Sequence, residues 1–342
     1  MSDFKIAYNK NQMNSPAFVQ LYPTLRCNQY CDFCFNRNIR GSVSTADMPE
    51  KDAYALAGIL AEAQVHELDM IGGEPMLVPW MKEYAEYITG LGIRMNISTN
   101  GSLPDTVDEF AHICGELLNI GFSVLGLRKT HDSLTAGDNF LKAVTGIRTL
   151  VRKGGNPIVK SVLTIRNIHE IHDFAGYLAN LGVRRYYLLY EDFIGRKNLN
   201  NCLSFPAFHG FYEKLRNATR GNMEVGFVAA SGFHKHGQDS HGLCDAGRTK
   251  IALLPDGSAF PCNLFFGFPG FRLGNIFTDG LEKIWNSSVL DIFRKAIEKR
   301  CPENTCRHYS TCSGGCPAHS YFFYGTVQKP DPRCMIKSCT GE

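Results

Sequence analysis

Between residues 18 and 190 short apolar runs alternate with longer amphipathic stretches. The runs Phe18–Tyr22, Glu67–Ile71, Arg94–Ser98, Gly121–Leu125, Val159–Thr164 and Arg185–Tyr190 have the length of strands. The stretches Asp52–Ala63, Trp80–Thr89, Thr106–Leu118, Phe140–Lys153 and Ile168–Leu181 repeat apolar residues every three or four positions and predict helices. Strands alternating with helices of this length predict an α/β chain with a parallel sheet and right-handed crossovers. Six such units suit a partial (β/α)6 TIM-like barrel, open on one side. Its chemistry belongs on the loops at the carboxyl ends of the strands.

The pattern loosens after Tyr190. Residues 196–243 read as a linking segment with one helix near Phe205–Ala218. Its histidines, His234, His236 and His241, read as solvated loop residues more readily than as metal ligands. Cysteines then become dense from Cys244, which predicts a barrel over 1–195 and a small cysteine-rich domain over 244–342. In the latter, Leu-Pro-Asp-Gly257-Ser is a hairpin signal. No internal repeat or low-complexity segment interrupts the chain.

The 342 residues carry a net charge of +3, which gives no argument for nucleic acid or for an anionic membrane surface. The start, Met-Ser-Asp-Phe-Lys, lacks the apolar run of a signal peptide, and no segment predicts a membrane span. The expected location is cytoplasmic. In that reducing setting 13 cysteines read as metal ligands before disulfides. Eleven of the 13 fall within 27–34 and 244–339. Cys114, in a helical pattern, reads as a core thiol, and Cys202 stands apart.

Cys27, Cys31 and Cys34 form a C-x3-C-x2-C run directly after the first strand. Four thiolates close an iron–sulfur cluster, whereas three leave one iron open to a small molecule. A zinc knuckle or buried thiols are the plainer readings, but zinc sites usually draw on two spaced pairs. Ile-Gly72-Gly73-Glu74-Pro75 follows the second strand, where paired glycines allow close backbone approach or merely a turn. Ser98-Thr99-Asn100-Gly101 ends the third strand, and Ser123 lies in the fourth. Such short polar side chains can bond ribose hydroxyls or make a turn.

These motifs, in this order, resemble the radical S-adenosylmethionine enzymes. Phe33 and Phe35 supply the aromatic neighbours of the last motif cysteine in that family. The resemblance implies a [4Fe-4S] cluster on Cys27, Cys31 and Cys34 and S-adenosyl-L-methionine at its open iron. It places Phe33, Gly72, Gly73, Glu74, Pro75, Thr99, Asn100 and Ser123 around that cofactor. Gly126, His131 and Asp132 also fit the family pattern, while Leu125 stands where an aspartate is common. The distal cysteines resemble the SPASM domain, which holds auxiliary clusters in peptide and protein maturases. By that resemblance Cys244, Cys262 and Cys316 hold one auxiliary cluster. Cys301, Cys306, Cys312 and Cys334 hold another, with Cys301 irregularly spaced. The first lacks an obvious fourth ligand, for which His241, Cys202 or Cys339 are candidates. A structural zinc role is the plainer alternative for this region.

The family implies reductive cleavage of S-adenosylmethionine to a 5′-deoxyadenosyl radical. That radical abstracts hydrogen from a substrate, and the auxiliary clusters accept an electron or only brace the fold. A ribosomally made peptide or a protein side chain is the leading substrate. The 26 residues before Cys27 are too few for a separate leader-binding domain, so a partner protein or the barrel itself would recognise a leader. Flavodoxin or ferredoxin is the expected electron donor. A tetrapyrrole or other small-molecule enzyme is the second reading. A non-catalytic electron carrier is the third, although it needs neither the open three-cysteine site nor the Gly-Gly-Glu-Pro segment. No general base or radical relay stands out: Tyr190, Glu191 and Asp192 read as strand-end polar residues before cavity residues.

Overall fold

The computed structural model describes residues 14–39, 46–229, 244–294, 301 and 314–334. Strand β1 (Phe18–Leu21) leads through α1 (Asn36–Ile39) and α2 (Glu50–Glu62) into β2 (Glu67–Met70). Helix α3 (Met81–Gly90) precedes β3 (Arg94–Thr99), and α4 (Pro104–Phe110) precedes β4 (Leu118–Ser123). Helices α5 (Arg128–Thr135) and α6 (Phe140–Arg152) precede β5 (Ile158–Leu163), α7 (Ile171–Asn180) precedes β6 (Arg185–Tyr190), and α8 (Phe205–Ala218) precedes β7 (Glu224–Val228). Strands β1 to β7 pair in chain order, all parallel.

Parallel strands covered by helices on both faces read as continuous apolar runs. These strands alternate instead. Val19, Leu21, Leu68, Met70, Met95, Ile97, Val159 and Leu163 are buried, while Gln20, Asp69, Asn96, Ser98 and Lys160 are only half-buried. The second face is therefore a polar lumen. Across it Asn96 donates to Glu67 (2.7 Å) and Asp69 (2.8 Å), and the Lys160 ammonium donates to Ser98 (2.8 Å).

The cysteine-rich segment is continuous with this sheet. Strand β8 (Lys250–Leu253) pairs parallel with the free side of β1. Strands β9 (Ser258–Phe260) and β10 (Gly274–Asn275) follow antiparallel, making one ten-stranded sheet. Short helices α9 (Ile276–Asp279), α10 (Leu281–Trp285), α11 (Asp291–Arg294) and α12 (Pro317–Tyr324) complete the described chain. The expected Asp-Gly hairpin is the β8–β9 turn, with Gly257 at φ +81°.

Three elements differ from the sequence expectation. Helix α4 stops at Phe110, so Cys114 sits half-buried in the following turn and packs against the core. Strand β4 consequently begins at Leu118 rather than Gly121. Strand β7 lies inside the stretch read as a linker. It is an edge strand with an exposed Glu224 and a central glycine, so its apolar alternation is weak. Gly226 is covered by the Tyr187 ring, which a Cβ there would meet at 2.4 Å.

Candidate metal centres

The loop carrying Cys27, Cys31 and Cys34 leaves the end of β1 and is clamped from around the barrel. Gly73 N–H donates to Thr24 O (2.9 Å) and Glu74 N–H to Arg26 O (2.8 Å). Arg26 and Thr24 both bond Asp47. Asn28 donates to Ser102 (2.8 Å) beyond β3, and Tyr30 N–H to Thr135 O (3.3 Å) in α5. Arg166, beyond β5, pairs with Asp32, and Arg196, beyond β6, donates to Phe33 O (3.1 Å). The three thiols are half-buried. Burial, followed by the neighbouring Cys34 and Cys27, pushes the Cys31 thiol up to about 12. Burial likewise raises Cys27, while the Asn100 side chain, 3.7 Å from its sulfur, opposes this. As thiolates the three would repel one another in this partly desolvated loop, so the arrangement suits a multivalent cationic centre that offsets their charge.

Gly72 and Gly73 admit the cysteine loop itself. Gly72 has φ +127°, and a Cβ there would lie 2.5 Å from Thr24 O; one at Gly73 would lie 1.8 Å from Arg26 O. Glu74 is buried and faces β3. Its carboxylate accepts from Thr99 Oγ1 (2.7 Å), Asn100 N–H (2.7 Å) and Met76 N–H (3.1 Å). Glu74, Thr99 and Asn100 thus form one unit that ties β2 to β3. Asn100 reaches onward to Cys27 and to Asn28 (2.9 Å). Pro75 begins the short turn beyond Glu74.

Burial pushes the Glu74 carboxyl up to about 7 against its three donors. An unfolded glutamate titrates near about 4.3, so between that pH and about 7 the folded chain holds the extra proton. Stability contributed by this group is full below the unfolded value and is lost as pH rises through the folded one. The melting temperature should therefore fall across that window, and Glu74→Gln should flatten the fall. Below it the two proteins should differ little, because the protonated carboxyl, like the amide, turns a donor toward these partners. Thermal melts of both proteins across this range check the slope.

Ser123 ends β4, half-buried, in register with Lys160. His131 and Asp132 have structural partners: His131 Nδ1 accepts from Leu125 N–H (3.2 Å), and Asp132 accepts from Asn139 and Phe140 N–H (both 2.8 Å) ahead of α6.

In the second region Cys262 follows β9, Cys316 stands immediately before α12, and both are buried; Cys244 is half-buried. Cys316 acts electrostatically on Cys262, and Cys244 on Cys316, so the structure brings these three together. Burial pushes them to about 12, 11 and 12 in chain order. The Lys250 cation opposes this at Cys244 and Cys262. Cys301 and Cys334 are half-buried. Cys306, Cys312, Cys339 and His241 lie outside the described residues. Cys202 is directed to β6: its sulfur lies 3.3 Å from Leu203 O and 4.0 Å from the Tyr190 hydroxyl.

A buried polar hub joins this region to β6. The Arg333 guanidinium donates to Glu191 O (2.8 Å), to Asp192 (2.9 Å) and to both carboxylate oxygens of Asp331 (3.1 and 2.8 Å), and it stacks over the Tyr190 ring. Asp331 also accepts Cys316 N–H (3.0 Å). Glu191 pairs with Arg196 at 2.9 Å. Tyr190, Glu191 and Asp192 are thus joined to this hub and to Arg196. A ring nitrogen of His319, Cys316 Sγ and an Asp331 oxygen lie within 4.8 Å of one another. Sequence reasoning missed Arg333, Asp331, His319 and Arg196. The one available signal was the polar content of Asp-Pro-Arg-Cys, which ends in a candidate ligand cysteine.

The Radical SAM superfamily model matches residues 21–179, and that for the SPASM iron-sulfur cluster-binding domain matches 244–316. The mycofactocin maturase MftC of Mycobacterium ulcerans is 25% identical, over 94% of this chain and 89% of its own. The AdoMet-dependent heme synthase of Methanosarcina barkeri is 24% identical, over 95% and 97%. Among solved structures, Streptococcus suis SuiB bound to precursor peptide SuiA superposes with a TM-score of 0.79 at 17% identity, covering 96% of this chain and 77% of that one. The two models together match most of the chain, which belongs to the radical SAM superfamily and carries a C-terminal SPASM iron–sulfur domain.

Proposed function

We propose that the chain is a radical-generating maturase that oxidises a peptide or protein side chain in the barrel lumen. The observation that carries this is the cysteine loop, clamped by successive barrel loops above a polar lumen. Cys27, Cys31 and Cys34 are assigned to the cluster that binds S-adenosylmethionine. When bound, that pair supplies a 5′-deoxyadenosyl radical. The chain's own part is placement. Gly72 and Gly73 let the loop close, and Glu74 fixes Thr99 and Asn100 at the end of β3. Asn36 holds Gly72 O (2.7 Å), and the turn after Glu74 uses the carbonyls of Glu74 and Pro75. This leaves Gly73 O as the motif's acceptor for a ligand amine. Phe33 and Ser123 are assigned to the same cofactor space.

Residues 1–195 are assigned to radical formation and 244–342 to the auxiliary centres, with 196–243 contributing β7 between them. Cys244, Cys262 and Cys316 hold one centre; Cys301, Cys306, Cys312 and Cys334 hold the other. The shared sheet and the Arg333 hub give these centres a fixed relation to the lumen, which suits return of an electron from an oxidised substrate. The peptide reading draws on MftC and on the SuiB–SuiA complex. The Methanosarcina relative supports a tetrapyrrole substrate as the second reading. A flavodoxin or ferredoxin would supply the first electron. Among the described residues no helix is long and apolar enough to cross a membrane.

Anaerobic reconstitution with iron and sulfide, then dithionite and S-adenosylmethionine, tests the reading. About twelve irons per chain and release of 5′-deoxyadenosine are expected, since each cubane holds four. Cys27→Ala/Cys31→Ala/Cys34→Ala should keep about eight irons and release none. Iron without cofactor cleavage, with peptide and tetrapyrrole substrates both present, would favour an electron carrier instead.

A further inference from the structure

Helix α12 carries a histidine that the assignments above leave unused. His319 lies one turn beyond Cys316, on the same helix face, and is fully buried. Its ring is held from one side. Phe193 N–H, in the loop after β6, donates to Nε2 at 2.9 Å. An atom that accepts this bond carries no proton. The alternative, Nε2–H directed at Asp192, would span 3.6 Å, beyond hydrogen-bond range. The neutral ring therefore bears its proton on Nδ1. Among the described residues Nδ1 has no partner. A buried donor left unmatched keeps its full desolvation penalty, so such groups call for a partner. Cys316 Sγ lies within 4.8 Å of a ring nitrogen of His319, which puts this sulfur against the imidazole. Both Asp331 oxygens are already engaged with Arg333.

We propose that His319 donates its Nδ1–H to the sulfur shell of the centre held by Cys244, Cys262 and Cys316, and thereby raises the reduction potential of that centre. The proposal rests on the ligand assignment above. Hydrogen bonds to cluster or ligand sulfurs favour the reduced, more negative state. Direct ligation through Nδ1 is disfavoured by the same geometry, because a ring bound there would carry its proton on Nε2, where Phe193 N–H already points. His319 is a tuning residue placed by the β6 loop, so the barrel and the auxiliary centre are linked through one imidazole.

The test uses the reconstituted full chain, with iron counting and a redox titration followed by electron paramagnetic resonance. His319→Leu removes the donor. It should keep the wild-type iron count while one auxiliary signal shifts to a more negative potential. His319→Gln retains an amide donor and an acceptor for Phe193, and should shift the same signal less. It also serves if the leucine variant does not fold. Unchanged potentials in both variants overturn the proposal and leave the ligand assignment standing. Loss of about four irons in both variants, with strong coupling of a histidine nitrogen to the wild-type centre, makes His319 a ligand and overturns it as well. A wild-type chain that holds only about four irons fails the ligand assignment itself, and the proposal with it.

Discussion

Gly73→Ala is expected to cost the chain its first cluster while leaving the auxiliary centres filled. A Cβ at residue 73 would stand 1.8 Å from Arg26 O and 2.4 Å from its carbonyl carbon, and both are backbone atoms. No rotamer change relieves such a contact; the two segments must part. They are the segments that Gly73 N–H and Glu74 N–H hold together, and Cys27 follows Arg26 directly. Displacement by about 1 Å at a reacting centre costs about 100-fold in rate. The variant should therefore lose about four of twelve irons, or keep them with 5′-deoxyadenosine release down by about that factor. Gly58→Ala is the matched control. Gly58 is exposed within α2, and nothing lies within 4 Å of its Cβ. That change should raise stability by about 0.5–1 kcal/mol through helix propensity and leave iron and rate untouched. Iron assays, product assays and melting curves on both variants decide the matter. Full iron with full rate in Gly73→Ala would mean that the loop has room the structure denies it.

The contrast between these two glycines shows what sequence could carry. Gly72 and Gly73 stand out because they follow a strand and precede Glu-Pro. The reason for them is a backbone more than forty residues earlier, which no local pattern reveals. The polar alternation that the lumen imposes on strands β1 to β6 was not legible, but the six strands were, as short apolar runs set between helical stretches. Strand β7 lacked that mark, since Gly226 is covered by Tyr187 and Glu224 is exposed. Helix α4 was overread because apolar residues continue at helical spacing after the backbone has left the helix at Phe110. The three-cysteine motif was legible because its cysteines are close in sequence. The clamps on it were not, because Arg166 and Arg196 come from loops more than 130 residues away. Glu74 was legible as a motif residue, but its orientation toward Thr99 and Asn100 depends on β3 lying beside β2.

The Arg333 hub was the least legible element, and removing it should have the larger effect on stability. Arg333→Met withdraws the cation from two acidic groups, Asp331 and Asp192, and from the carbonyl of Glu191. Asp331 is fully buried, and Arg333 holds its carboxyl below the usual range against the opposing effect of burial. Breaking one side of such a pair strands a buried charge and costs about 3–5 kcal/mol. Lys283 and Asp279 form a solvent-screened surface pair, so Lys283→Met is expected to be nearly silent. Arg333→Lys should recover little, because one ammonium cannot serve acceptors on two sides of a planar fork. Arg333→Met combined with Asp331→Asn should be less harmful than the two separate costs added, since the stranded charge is gone. Asp331 also accepts the Cys316 N–H, so the loss should reach the auxiliary centre and lower its iron content before the barrel unfolds. Denaturant midpoints with parallel iron counts separate the two effects. A methionine variant as stable as the parent would show that water or relaxation can replace the guanidinium, and the hub would then be a bystander to the joining of the cysteine-rich segment to β6.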